Sequence, residues 1–92
     1  MVEQAVRVRN KQGIHVRPAE RIAQAAVRFQ CRISLENGDC RVNAKSILGM
    51  LALAAGLGVE ITVIADGPDE REAVQAIVKL FEEGFGEELG KL

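Results

Sequence analysis

The chain has 92 residues, with 12 Lys or Arg against 13 Asp or Glu and a formal net charge of −1. That length makes one domain, and 48% apolar with 27% charged residues is the balance of an ordinary globular protein. Dispersed, nearly balanced charge excludes a nucleic-acid-binding strip or a polybasic membrane tail, and with no Trp or Tyr and three Phe the stacking platforms for single-stranded nucleic acid are poorly supplied.

The first residues, Met1-Val2-Glu3-Gln4, open directly in strand-like sequence. They lack the basic region and apolar stretch of a signal peptide. The apolar run at 47–57 is interrupted by glycine and too short to cross a bilayer, so a cytoplasmic location is expected. Cys31 and Cys40 supply neither a disulfide framework nor a zinc set, and no metal or cofactor is expected.

The first strand is expected over residues 2–9, with Val6 and Val8 on one face and Arg7 and Arg9 on the other. Asn10-Lys11-Gln12-Gly13 breaks it. From Ala19 the period changes: Ala19, Ile22, Ala23, Ala26 and Val27 form the apolar stripe of a helix, with Pro18 tolerated in its first turn. A hairpin follows. An Asn37-Gly38 turn would set Leu35 opposite Cys40 and put Cys31, Ile33, Leu35, Cys40, Val42 and Ala44 on one face. Cys31 and Cys40 then share the core face as separated free thiols. Arg32, Ser34, Glu36, Asp39, Arg41 and Asn43 take the other face, so the sheet is covered on one side and wet on the other.

Ser46 is placed as the N-cap of a short helix at about 47–55, closed by Gly56 or Gly58, with Met50, Leu53, Ala54 and Leu57 as its core stripe. A fourth strand covers 59–65, with Ile61, Val63 and Ala65 inward. Asp69 and Glu72 suggest a capping box for a last helix reaching about 83, with Ala73, Ile77, Leu80 and Phe81 on its inner side. Residues 85–92 read as a frayed tail within a single domain spanning 1–92, and are assigned no role. The order β-α-β-β-α-β-α favours an α+β fold, an antiparallel sheet with helices on one face.

One segment carries chemistry: Gly13-Ile14-His15-Val16-Arg17-Pro18-Ala19. The only histidine sits just before a helix, where unpaired N–H groups and the positive end of the dipole suit an anion. A neutral imidazole nitrogen is a competent nucleophile, and a phosphoryl group taken up there would rest among the N–H groups of Val16 and Arg17. The Arg17 guanidinium could add charge-assisted bonds. The bland reading of the same position is a surface helix cap.

This stretch closely resembles the active-site signature of the HPr family, the histidine-containing phosphocarriers of the bacterial phosphotransferase system. Lys45-Ser46-Ile47-Leu48-Gly49-Met50 resembles the family's second signature at the right distance. The resemblance implies an open-faced β-sandwich: a four-stranded antiparallel sheet of order 1-4-2-3, covered on one face by three helices. It implies that His15 accepts phosphate on Nδ1 from phosphorylated enzyme I and passes it to a IIA protein or domain, with Arg17 assisting. The protein is then a carrier, consumed and regenerated by other enzymes. It also implies that Ser46 is the substrate of an ATP-dependent HPr kinase, and that Ile47, Leu48 and Leu51 dock enzyme I, IIA and regulatory proteins. Arg9, Lys11, Arg17, Arg21 and Lys45 are candidates for a basic rim around that patch.

Val16 is bulkier than the Ala or Thr of many family members, which is expected to tune rates. Some members place a C-terminal carboxylate near the active arginine, and no motif transfers that role to this tail. The nitrogen-regulatory branch of the phosphotransferase system, with different enzyme I and IIA partners, is the alternative to sugar transport. No nucleic acid and no direct membrane contact is expected.

Overall fold

A computed structural model describes residues 1–91. Its elements are β1 (Val2–Arg7), α1 (Val16–Ala26), β2 (Arg32–Asn37), β3 (Cys40–Asn43), α2 (Ile47–Leu51), β4 (Glu60–Asp66) and α3 (Glu70–Glu82), then a 3₁₀ turn at Gly84–Gly86. The strands form one antiparallel sheet in the order β1-β4-β2-β3. This is the expected α+β open-faced sandwich, with strand order 1-4-2-3.

Period two in the strands and 3.6 in the helices decide what is buried. Val6, Ile33, Leu35, Ile61, Val63 and Ala65 point into the core from the sheet. Pro18, Ala19, Ile22, Ala23 and Ala26 meet them from α1, and Ala73, Val74, Ile77, Val78 and Phe81 from α3. Each large side chain so buried contributes about 1.5–3 kcal/mol. Leu80, expected inward on α3, is only partly buried, because Val74 and Val78 widen the stripe away from it. On the open face Ile64 is nevertheless 5% exposed, flanked across the strands by Glu3 and Ser34.

Several local readings are corrected by the structure. Val27, expected on the apolar stripe of α1, is 61% exposed, because the helix ends at Ala26 and Val27 is its C-cap. In the hairpin Leu35 pairs with Val42, and Asn37 with Cys40, so the turn residues are Gly38 and Asp39. Gly38 takes the positive φ of +58° that the turn requires. A register displaced by two keeps every side chain on its face, so the core alternation survives. Cys40, at the hairpin tip on the edge strand, is exposed, while Cys31 is buried.

The second helix ends early, at Leu51, and Ala54 turns the chain with φ +52°. Met50 and Leu53 are buried as expected. Ala54 faces solvent and Leu57 is half-buried, with Ala55 taking the core position instead. The capping box is different as well. The Asp69 carboxylate accepts from the backbone N–H groups of Gln30 and Cys31, at 2.8 and 2.9 Å, rather than capping α3. Those bonds, the one from Gln30 foremost, hold its carboxyl below the usual range against a smaller opposing effect of burial. The Gly67 N–H, two residues before the N-cap Asp69, donates to Glu70 Oε1 at 3.1 Å, and among the described residues Glu72 makes no capping bond.

The C-terminal segment departs furthest from expectation. Phe85 is 1% exposed and stacks edge-on against Phe81, with ring centroids 4.9 Å apart. Gly84, at φ +61°, makes the reversal that brings this ring inward. Beyond it the chain lies antiparallel to the segment after β1. Asn10 bridges Leu89, the Lys11 N–H donates to the Glu88 carbonyl at 2.9 Å, and the Gly90 N–H donates to the Arg9 carbonyl at 2.9 Å. The expected fraying at 85–91 is therefore replaced by a docked strap; Leu92 lies outside the described residues.

Candidate functional site

The loop between β1 and α1 is held from beneath. Asn10 is fully buried, and its Nδ2 donates to the Gly13 carbonyl at 2.7 Å and to Glu87 Oε1 at 2.9 Å. Gly13, at φ +73°, lies so close to the segment after α2 that a Cβ there would sit 2.5 Å from the Ala55 carbonyl oxygen. The Ile14 N–H donates to that same oxygen at 2.9 Å, and the Ile14 side chain is buried. Backbone closeness at Gly13 thus fixes where the next residue, His15, leaves the loop.

His15 is the N-cap of α1, with extended backbone (φ −96°, ψ −165°) and no side-chain capping bond. Its carbonyl already accepts from the Ala19 N–H at 3.1 Å. The first helical positions, Val16 and Arg17, have N–H groups without intrahelical partners, and Pro18 after them has none to offer. The free donors at this helix start are therefore the two named from sequence. The Arg17 side chain is exposed and makes no hydrogen bond or ion pair among the described residues.

The imidazole is not left to solvent. Its Nε2 lies 2.9 and 2.8 Å from the two carboxylate oxygens of Glu87, which the strap delivers from 72 residues away. Burial is the largest influence on the Glu87 carboxyl and pushes it upward. Hydrogen bonds from His15 and Asn10, with the charge of the His15 ring when it is protonated and that of Arg17, outweigh it and hold the group below its ordinary value. Of the two neutral tautomers of the ring, an anionic carboxylate facing Nε2 favours the one with its proton on that nitrogen and its lone pair on Nδ1. No hydrogen bond reaches Nδ1 among the described residues. The ring opens on a shallow depression of about 680 Å³ lined by Lys11, Val16, Arg17, Glu20 and Glu87, among others.

The second signature is arranged differently. Ser46 caps α2, its Oγ accepting from the Gly49 N–H at 3.0 Å. Leu48 is 80% exposed, whereas Ile47 and Leu51 are half-buried against the core. Of the three expected docking residues, Leu48 alone projects fully. The basic rim is also partly tied back. Arg9 donates to the Glu82 carbonyl at 3.0 Å, Lys45 to the Phe29 carbonyl at 2.7 Å, and Lys11 lies 3.5 Å from Glu88. Arg21 lies against Gly86 of the strap.

Asn10 and Glu87 carry no motif that marks them in the sequence. The available signal was Phe85 between two glycines, an aromatic residue that a frayed end has no reason to carry.

Residues 2–83 match the family model described as "PTS HPr component phosphorylation site". The chain is 51% identical over 88 residues to the phosphocarrier protein HPr of Treponema pallidum, covering 96% of this chain and all of that one. It is 45% identical over 83 residues to the HPr-like protein Crh of Bacillus subtilis, covering 90% of this chain and 98% of that one. Among solved structures, HPr-C-His from Thermoanaerobacter tengcongensis superposes with a TM-score of 0.92 at 43% identity, covering 97% of this chain and all of that one.

Proposed function

The chain belongs to the HPr family of phosphotransferase-system phosphocarriers, and from that membership we propose that His15 accepts a phosphoryl group on Nδ1 from phosphorylated enzyme I and yields it to a IIA protein or domain. The observation that carries this reading is the ring of His15 at the N-cap of α1, hydrogen-bonded through Nε2 and with no partner on Nδ1 among the described residues. Attack through the Nδ1 lone pair would set the phosphoryl oxygens near the N–H groups of Val16 and Arg17. Arg17, unpaired and exposed, is free to swing toward them. A helix start contributes about 0.3–2 kcal/mol to such an anion, enough to steady it and too little to trap it.

Ile47, Leu48 and Leu51 dock these partners, with Leu48 as the projecting contact. Ser46 is the site of regulatory phosphorylation by an HPr kinase. About −1.5 to −2 charge added beside that apolar patch would oppose docking through desolvation and repulsion. The Crh relatives, one described as a catabolite repression HPr, support a regulatory use of this fold. The protein acts in the cytoplasm; among the described residues no helix is long and apolar enough to cross a membrane. Labelling with phosphoenolpyruvate and enzyme I tests the reading: His15→Ala abolishes incorporation, and undiminished labelling would overturn it.

A further inference from the structure

Glu87 stands outside the span that matches the family model, yet its carboxylate touches the ring that the proposed function makes reactive. We propose that Glu87 is a positioning residue for the outward transfer: it keeps the proton on Nε2 of phosphorylated His15, so that the imidazole leaves phosphorus as a neutral ring. The inference rests on the carrier reading above and goes beyond it, because it assigns a role to a residue of the strap in the second half of the cycle.

Bond accounting supplies the reason. When Nδ1 of the Nε2–H tautomer attacks the phosphorus of the phosphorylated donor, its lone pair becomes the N–P bond. The donor's own bond to phosphorus breaks with its electron pair leaving on the donor, and the ring, still holding Nε2–H, becomes cationic. If that proton were lost, the reverse bond cleavage would have to expel an imidazolate anion, a poor leaving group. If it stays, the acceptor's lone pair forms the new bond to phosphorus, the N–P electron pair returns to Nδ1, and neutral imidazole departs. No proton need move on the ring in either direction. A carboxylate that bonds Nε2 and lies across the ring from the phosphoryl group is placed to hold that proton.

The strap gives Glu87 little freedom to do otherwise. Asn10 Nδ2 fixes Oε1 from the buried side, and the Phe85 ring and the backbone bonds of Lys11 and Gly90 fix the chain on both sides of it. The other charged groups facing this depression are Lys11, Arg17, Glu20 and Glu88. None of these lies within hydrogen-bonding distance of the ring, and Lys11 and Glu88 face each other.

The test is the pH profile of phosphoryl release. The full-length protein and the Glu87→Gln variant are phosphorylated with phosphoenolpyruvate and enzyme I, then followed for hydrolysis across neutral to alkaline pH. Glu88→Gln removes an equal charge from the same rim without touching the ring. Expected is a loss of lability that begins at least one pH unit lower in Glu87→Gln, making release about tenfold slower at the alkaline end, with Glu88→Gln close to the native profile. Coinciding profiles for native and Glu87→Gln, or an equal displacement in Glu88→Gln, would overturn the inference. If the native protein takes no label at all, it is the carrier reading that fails.

Discussion

His15 and Ser46 occupy the same position in two helices, the N-cap, and use it in opposite ways. Ser46 spends its side chain on its own helix, accepting from Gly49 three residues on. His15 makes no capping bond, and its ring is held instead by Glu87, brought in from the far end of the chain. A residue that caps its helix is committed by local geometry. A residue held from elsewhere keeps one nitrogen oriented and the other available. The first arrangement is independent of tertiary context; the second exists only while the strap is docked.

That contrast can be broken at the strap. Phe85→Ala removes a fully buried ring from its contact with Phe81, and is expected to cost about 3–5 kcal/mol in urea unfolding. NMR of the folded variant should show the His15 ring losing its carboxylate contact while the Ser46–Gly49 cap persists. A loss near zero, or an unchanged His15 environment, would mean the strap does not hold the site.

A smaller effect is expected at the cap. Ser46→Ala should destabilise the protein by about 0.5–2 kcal/mol and leave labelling of His15 intact. Loss of labelling would show that the two helix starts are coupled, against the comparison as drawn. Leu48→Glu has the smallest expected effect on stability, within about 0.5 kcal/mol, since the side chain is 80% exposed. It should slow transfer to and from partner proteins. Unchanged transfer rates would assign Leu48 no docking role.

What was legible in the sequence follows the same division between local and remote. The core alternation of β2 and β3, the α1 stripe from Ala19 to Ala26 and the Ser46 cap depend on neighbours within a few residues, and periodicity exposes them; Val27 falls off the stripe because periodicity does not report where the helix stops. The hairpin register slipped by two because either turn keeps the faces intact, so no side chain reports the difference. Asp69 reads as a cap because its partners, Gln30 and Cys31, lie 39 and 38 residues away. Glu87 is hidden for the same reason, as is Asn10, whose turn chemistry conceals a buried amide that ties the loop to the strap. His15 and Arg17 are visible by motif, and the geometry adds which ring nitrogen is occupied.

The central claim is that Nδ1 of His15 carries the phosphoryl group while Nε2 stays bonded to Glu87. Isotope-edited nitrogen and phosphorus NMR of the protein phosphorylated with phosphoenolpyruvate and enzyme I tests it directly. The account predicts phosphorus coupled to Nδ1, with a proton retained on Nε2; phosphorus on Nε2, or on any residue other than His15, would contradict it.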